Sequence, residues 1–101
     1  MTVDEVIKEA DRIKPNTIDE ETKKQWVYAL ENQIRTLLFE TVCSEYDYLA
    51  ITFPYDTLYS TYVVMRIGLE NGNIELYNKN AITFNQLWCS FCKKYGFDLN
   101  D

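Results

Sequence analysis

A chain of 101 residues has room for one modest domain, spanning 1–101, and too little for two. Its apolar fraction of 47% and charged fraction of 26% exclude an intrinsically disordered chain. A net charge of −6 with no dense basic stripe excludes binding to nucleic acid by phosphate neutralisation, so no sequence-specific nucleic-acid partner is expected.

The opening Met1-Thr2-Val3-Asp4-Glu5 is acidic where a secretory leader is basic, and no apolar run approaches the roughly 20 residues of a bilayer span. Neither secretion nor a membrane partner is therefore expected. Three cysteines are an odd count that suits reduced thiols in a cytosol. Eight tyrosines supply broad apolar area with polar tips, which serves an interface or an amphipathic core boundary equally well. The pairs Lys23-Lys24 and Lys93-Lys94 are expected to be solvated helix ends.

In chain order, Thr2-Val3-Asp4-Glu5 has the form of a capping box, and Val3, Val6, Ile7, Ala10 and Ile13 recur at helical spacing. Lys14-Pro15-Asn16 ends this first helix, because the residue before proline is pushed out of helical geometry. A second helix is predicted over about 19–42. Glu20 and Glu21 sit near its positive end, Val27, Leu30, Ile34, Leu37 and Thr41 form its stripe, and Trp26, Leu38 and Val42 widen it. Residues 43–54 lose the periodicity. Tyr48, Leu49, Ala50, Ile51, Thr52 and Phe53 suit a short strand or an extended loop before Pro54. With no partner strand obvious nearby, the expectation is a loop that pairs locally or with another subunit.

Two structures compete for residues 54–80. Asn71-Gly72 between Ile67-Gly68-Leu69-Glu70 and Asn73-Ile74-Glu75-Leu76 is a hairpin signal, and Val63, Val64, Ile67 and Tyr77 favour strand. Against it, Leu58, Tyr62, Met65, Leu69, Gly72 and Leu76 step by four and three as a heptad packing seam, with Pro54 and Asp56 suited to a first turn. Pattern prefers the helix, at a cost of roughly 1 kcal/mol for each interior glycine unless another backbone packs on it. As one long rod it carries a second apolar stripe, Tyr55, Tyr59, Val63, Ile67, Ile74 and Tyr77. That stripe is the candidate protein interface, since a helix apolar nearly all round must be covered nearly all round. A last helix follows from an Asn80 cap, with Ala81, Phe84, Trp88, Phe91 and Tyr95 on its stripe and Ile82, Leu87 and Cys92 beside them. Lys93 and Lys94 lie in its last turn and Gly96 stops it, leaving a frayed tail from Phe97 to Asp101. The expected fold is all-α, a small bundle of about four helices with a long central helix and an extended loop between the second and third.

Chemistry has little to stand on. The chain holds no histidine, which removes the usual general base and the commonest metal ligand. No phosphate loop or nucleophile elbow is present. Trp88-Cys89-Ser90-Phe91-Cys92 has a W-C-x-x-C outline, but redox chemistry needs the first cysteine at a helix N-terminus, and here Cys89 falls inside a predicted helix. Zinc needs four ligands, and only Cys43 is available to join the pair. No catalytic residue, metal or cofactor is expected, and the chain predicts a non-enzymatic protein-binding module.

Pro54-Tyr55-Asp56-Thr57-Leu58-Tyr59, then Asn71-Gly72-Asn73-Ile74-Glu75-Leu76-Tyr77-Asn78 and Phe84-Asn85, with the opening Thr2-Val3-Asp4-Glu5-Val6-Ile7, resemble a family of small phage and prophage proteins of Gram-positive bacteria, the head-tail connector or head-completion proteins. The resemblance covers nearly the whole chain as a pattern of apolar and turn residues. It implies an all-helical virion protein, a homo-oligomeric ring docked beneath the portal protein and meeting a tail-side adaptor, with DNA passing through the ring. It also implies assembly in the host cytoplasm and favours helix over residues 56–79. The stretch between the second and third helices is shorter than the family's, and the cysteines are extra. A small acidic cytosolic regulator that blocks one partner, an inhibitor or antitoxin, is the rival expectation.

Overall fold

The computed structural model describes residues 1–39 and 48–96, which form four helices: α1 (Val3–Ile13), α2 (Glu20–Phe39), α3 (Thr57–Glu70) and α4 (Ile74–Tyr95). No strand occurs among the described residues, so the all-α, four-helix expectation holds. Thr41, Val42 and Cys43 of the predicted second helix and loop, and the tail Phe97–Asp101, lie outside the described residues.

α1 begins on the predicted capping box. The Glu5 amide donates to Thr2 Oγ1 at 3.2 Å and the Thr2 amide to Glu5 Oε1 at 3.1 Å, which satisfies two amides that a helix start leaves open. Val3, Val6, Ile7 and Ala10 are buried, whereas Ile13 is left at the surface. Lys14 caps the end ahead of Pro15. Asp19 opens α2, its Oδ1 accepting the Thr22 amide at 2.6 Å. Trp26, Val27, Leu30 and Ile34 are buried along α2, while Leu37 is half exposed.

The connection between α1 and α2 corrects the expectation for one lysine. Lys23 is buried, not solvated: its Nζ donates to Asp11 Oδ1 at 2.8 Å, Asp11 Oδ2 at 3.0 Å and Asn16 Oδ1 at 3.3 Å. Asn16 in turn donates to Asp11 and to the Lys14 carbonyl, and accepts the Ile18 amide. A buried ammonium is tolerated because its protons have partners.

The single long rod across residues 56–79 is overturned. α3 stops at Glu70, and the chain reverses through Asn71-Gly72-Asn73 into α4. Gly72 has φ of +69°, a conformation open to glycine at little steric cost. The Asn73 amide reaches back to the Gly68 carbonyl at 2.8 Å and the Gly72 amide to Leu69 at 3.2 Å, the paired bonds of a Schellman stop. Asn73 then caps α4, its Oδ1 accepting the Leu76 amide at 3.1 Å. Asn80, expected as that cap, lies inside α4 and donates from its side chain to the Leu76 carbonyl. The Asn-Gly pair does make a hairpin, but one of helices. The Gly96 stop is where the sequence places it, with φ of +77°.

α3 is the central element. Among the described helices it packs on α1, α2 and α4, whereas α4 packs closely on α3 and not on α1 or α2. Gly68 allows the tightest approach. A Cβ there would meet the Tyr77 amide nitrogen at 3.0 Å and the Asn73 carbonyl oxygen at 3.2 Å, so backbone of α4 packs against it. The antiparallel pair is zipped by rings: Tyr62 meets Phe84 at 5.6 Å and, seven residues on in each direction, Tyr55 meets Phe91 at 5.8 Å.

Candidate interaction surface

The two sets of residues singled out from the heptad pattern separate in space. Of the candidate interface stripe, Tyr59, Val63 and Ile67 are wholly buried in the core of this chain, Tyr55 and Tyr77 are half-buried, and only Ile74 is largely exposed, at 59%. The stripe is not a continuous outer face because α1, α2 and α4 already cover its middle. Of the packing seam, Leu58 is fully buried and Tyr62, Met65 and Leu76 are half-buried. Leu69, in the last turn of α3, is exposed, and Gly72 is in the turn beyond the helix end at Glu70.

An apolar groove takes the place of that stripe. It runs between α2 and α4 with α3 as its floor and is lined by Leu30, Gln33, Ile34, Tyr62, Phe84 and Trp88, enclosing about 230 Å³. Helical spacing explains the lining: Leu30, Gln33 and Ile34 share one face of α2, and Phe84 and Trp88 lie one turn apart on α4. Tyr62, Phe84 and Trp88 remain only half-covered. One turn along α3 from the groove residue Tyr62 lies Arg66. Its guanidinium lies 5.1 Å from the ring centre of Trp26, itself one turn from Leu30. Among the described residues Arg66 pairs with no carboxylate, and its enclosed Nε has no hydrogen-bond partner.

A second apolar feature stands on the segment entering α3. Tyr48 and Phe53 are 73% and 84% exposed, on either side of the buried Leu49 and Ile51. A buried carboxylate that the sequence pattern did not single out anchors this segment. Glu31 is fully enclosed. Its Oε2 accepts the Ala50 amide at 2.7 Å and Arg35 Nε at 3.1 Å, and its Oε1 accepts the Tyr59 hydroxyl at 2.7 Å. The Tyr59 oxygen accepts the Ile51 amide at 3.0 Å, the Arg35 guanidinium donates to the Tyr48 carbonyl at 2.8 Å, and the Leu49 amide donates to the Met1 carbonyl at 3.1 Å. One carboxylate thus ties α2, α3 and the intervening segment. Burial holds the Tyr59 hydroxyl well above its ordinary value of 10.0, so it stays a proton donor to Glu31.

The cysteines offer no comparable arrangement. Cys89 is exposed, Cys92 is buried one turn on in α4, and both are free thiols. Burial pushes the Cys92 thiol above its ordinary value, away from the thiolate form that redox or metal chemistry requires. Among the described residues no group of three or more Cys, Asp or Glu is placed to hold a metal ion, and no helix is long and apolar enough to cross a membrane. The geometry offers surfaces for packing: a half-covered aromatic groove in one place and an anchored aromatic corner in another. No protein-family model, curated protein or solved structure matches the chain.

Proposed function

We propose that this chain is a non-enzymatic structural protein of a phage virion, a head-tail connector that assembles as a ring beneath the portal, meets a tail-side adaptor, and lets DNA pass. The observation that carries it is the groove of Leu30, Ile34, Tyr62, Phe84 and Trp88, an apolar surface left half-covered in a chain this small. The anchored Phe53 corner supplies a second, unlike surface, which is what head-to-tail ring contacts use. A net charge of −6 favours passage of DNA over adhesion to it. The resemblance of the Pro54–Tyr59, Asn71–Asn78 and Phe84-Asn85 segments to connector proteins gives the class. On this reading the protein belongs to the virion and, during assembly, to the host cytoplasm.

The test is native mass spectrometry and negative-stain imaging of the purified protein, alone and with a phage portal protein from the same genome if one is encoded there. Rings, alone or on portal, are the expected result. A fixed monomer or dimer with no affinity for portal refutes the connector reading and leaves a small acidic regulator of one partner protein.

A further inference from the structure

We propose that the groove between α2 and α4 receives the Phe53 corner of a second copy of this chain, seated so that Asp56 of the second copy meets Arg66. This deepens the connector reading and rests on its premise that copies of the chain meet one another.

The fit is chemical on three counts. Phe53 is 84% exposed, so its ring is not housed by its own chain. The groove encloses about 230 Å³ and is walled by aromatic and aliphatic side chains; an apolar cavity of about 150 Å³ already holds a benzene-sized ring. Second, both surfaces are neutral in a strongly acidic chain. Residues 48–55 carry no charged side chain, and neither do the six lining residues. Two copies at −6 repel wherever their carboxylates face each other, and this pairing brings none into the apolar contact.

Third, each surface has a neighbouring charge of opposite sign without an ion-pair partner among the described residues. Arg66, one turn from Tyr62 on the groove floor, lacks a carboxylate partner among the described residues, and its buried Nε lacks an acceptor. Asp56, three residues beyond Phe53, makes no capping hydrogen bond with its side chain and no ion pair among the described residues. The corner is also held in advance, because Glu31 and Tyr59 fix the Ala50 and Ile51 amides, so docking orders little that is not ordered already. Since groove and corner are different surfaces, the contact is head-to-tail, and repetition of it builds a ring or a filament.

Sedimentation equilibrium and native mass spectrometry of the full chain provide the test, with Phe53→Ser as the corner variant and Gln33→Glu as the groove variant. Both positions are exposed, so neither change removes a core contact, and circular dichroism checks that each stays helical. The wild-type chain is expected to associate, and each variant to weaken association about tenfold or more. An equimolar mixture of the two should recover a 1:1 dimer that grows no further, because each copy contributes its one intact surface. A wild-type chain that stays monomeric to about 1 mM overturns the proposal, as does association unchanged in Phe53→Ser, or a mixture that forms no dimer. If self-association follows this pattern but portal is never bound, the connector reading falls and the contact stands. If portal-bound rings form equally well from both variants, the contact falls and the connector reading stands.

Discussion

Replacing Glu31 is the most demanding test of the fold. Its enclosed carboxylate accepts three hydrogen bonds, from Arg35 Nε, the Ala50 amide and the Tyr59 hydroxyl. Each bond to a charged acceptor contributes about 1.5–3 kcal/mol when lost alone, but the three are not additive because they share one group. Breaking a buried pair from one side costs about 3–5 kcal/mol, since the surviving partners stay buried and unmet. Glu31→Ala strands a guanidinium, an amide and a hydroxyl at once, so about 4 kcal/mol is expected. Glu31→Gln keeps one accepting oxygen and turns an NH2 group toward other donors, for about 2–3 kcal/mol. Domains of this size have roughly 5–15 kcal/mol in all, so the alanine variant approaches unfolding. Urea denaturation followed by far-UV circular dichroism reads the effect: with a slope of about 1.5 kcal/mol/M, a loss of 3 kcal/mol moves the midpoint by about 2 M. Tyr59→Phe should cost about 1–3 kcal/mol by itself and couple to Glu31→Gln by at least about 0.5 kcal/mol in a double-mutant cycle. A Glu31→Gln shift below about 0.5 kcal/mol, or strict additivity with Tyr59→Phe, refutes the clamp.

Gly72→Ala meets no atom within 4 Å, so its cost is the positive φ alone, about 1–2 kcal/mol in the same assay, and Gly72→Asn should cost less. Gly68→Ala pushes on the α4 backbone and should be destabilising by about 1–2 kcal/mol net of alanine's better helix propensity. Peptide-mapped alkylation should label Cys89 in the native state and Cys92 only on unfolding, because burial encloses the Cys92 thiol and raises its pKa. The capping bonds from Thr22 hold the Asp19 carboxyl below its ordinary value of 3.8. A depressed carboxyl stabilises above its unfolded value and ceases to as pH falls through the folded one. The penalty of Asp19→Ala should therefore be full at neutral pH and vanish on titration below pH 3.8; a penalty unchanged across that window refutes the cap.

What the sequence showed and what it hid have physical causes. The capping box at Thr2 and the stop at Gly96 are local devices, complete within a few residues, and both stand where the sequence places them. Asn71-Gly72 was ambiguous because a residue with positive φ serves a strand turn and a helix stop alike. Glu31 and Lys23 were readable in hindsight. Each falls three or four residues from Trp26, Val27, Leu30 or Ile34, on the apolar face of α2, where a charge signals a partner. The partners themselves, Ala50 and Tyr59 for one and Asp11 and Asn16 for the other, are brought by tertiary folding, and no spacing announces them. The groove is of the same kind. It exists because α2 and α4 straddle α3 without meeting, a relation between helices that periodicity within each cannot express.

That α4 leans on α3 alone sets the order in which the molecule comes apart. Among the described helices α4 has one close neighbour, so its amides should exchange with deuterium sooner than those of α3, which three helices shield. Any occupant of the groove would bridge α2 to α4 and slow that exchange. Protection along residues 81–92 therefore acts as a gauge of docking, readable before any assembly is large enough to image.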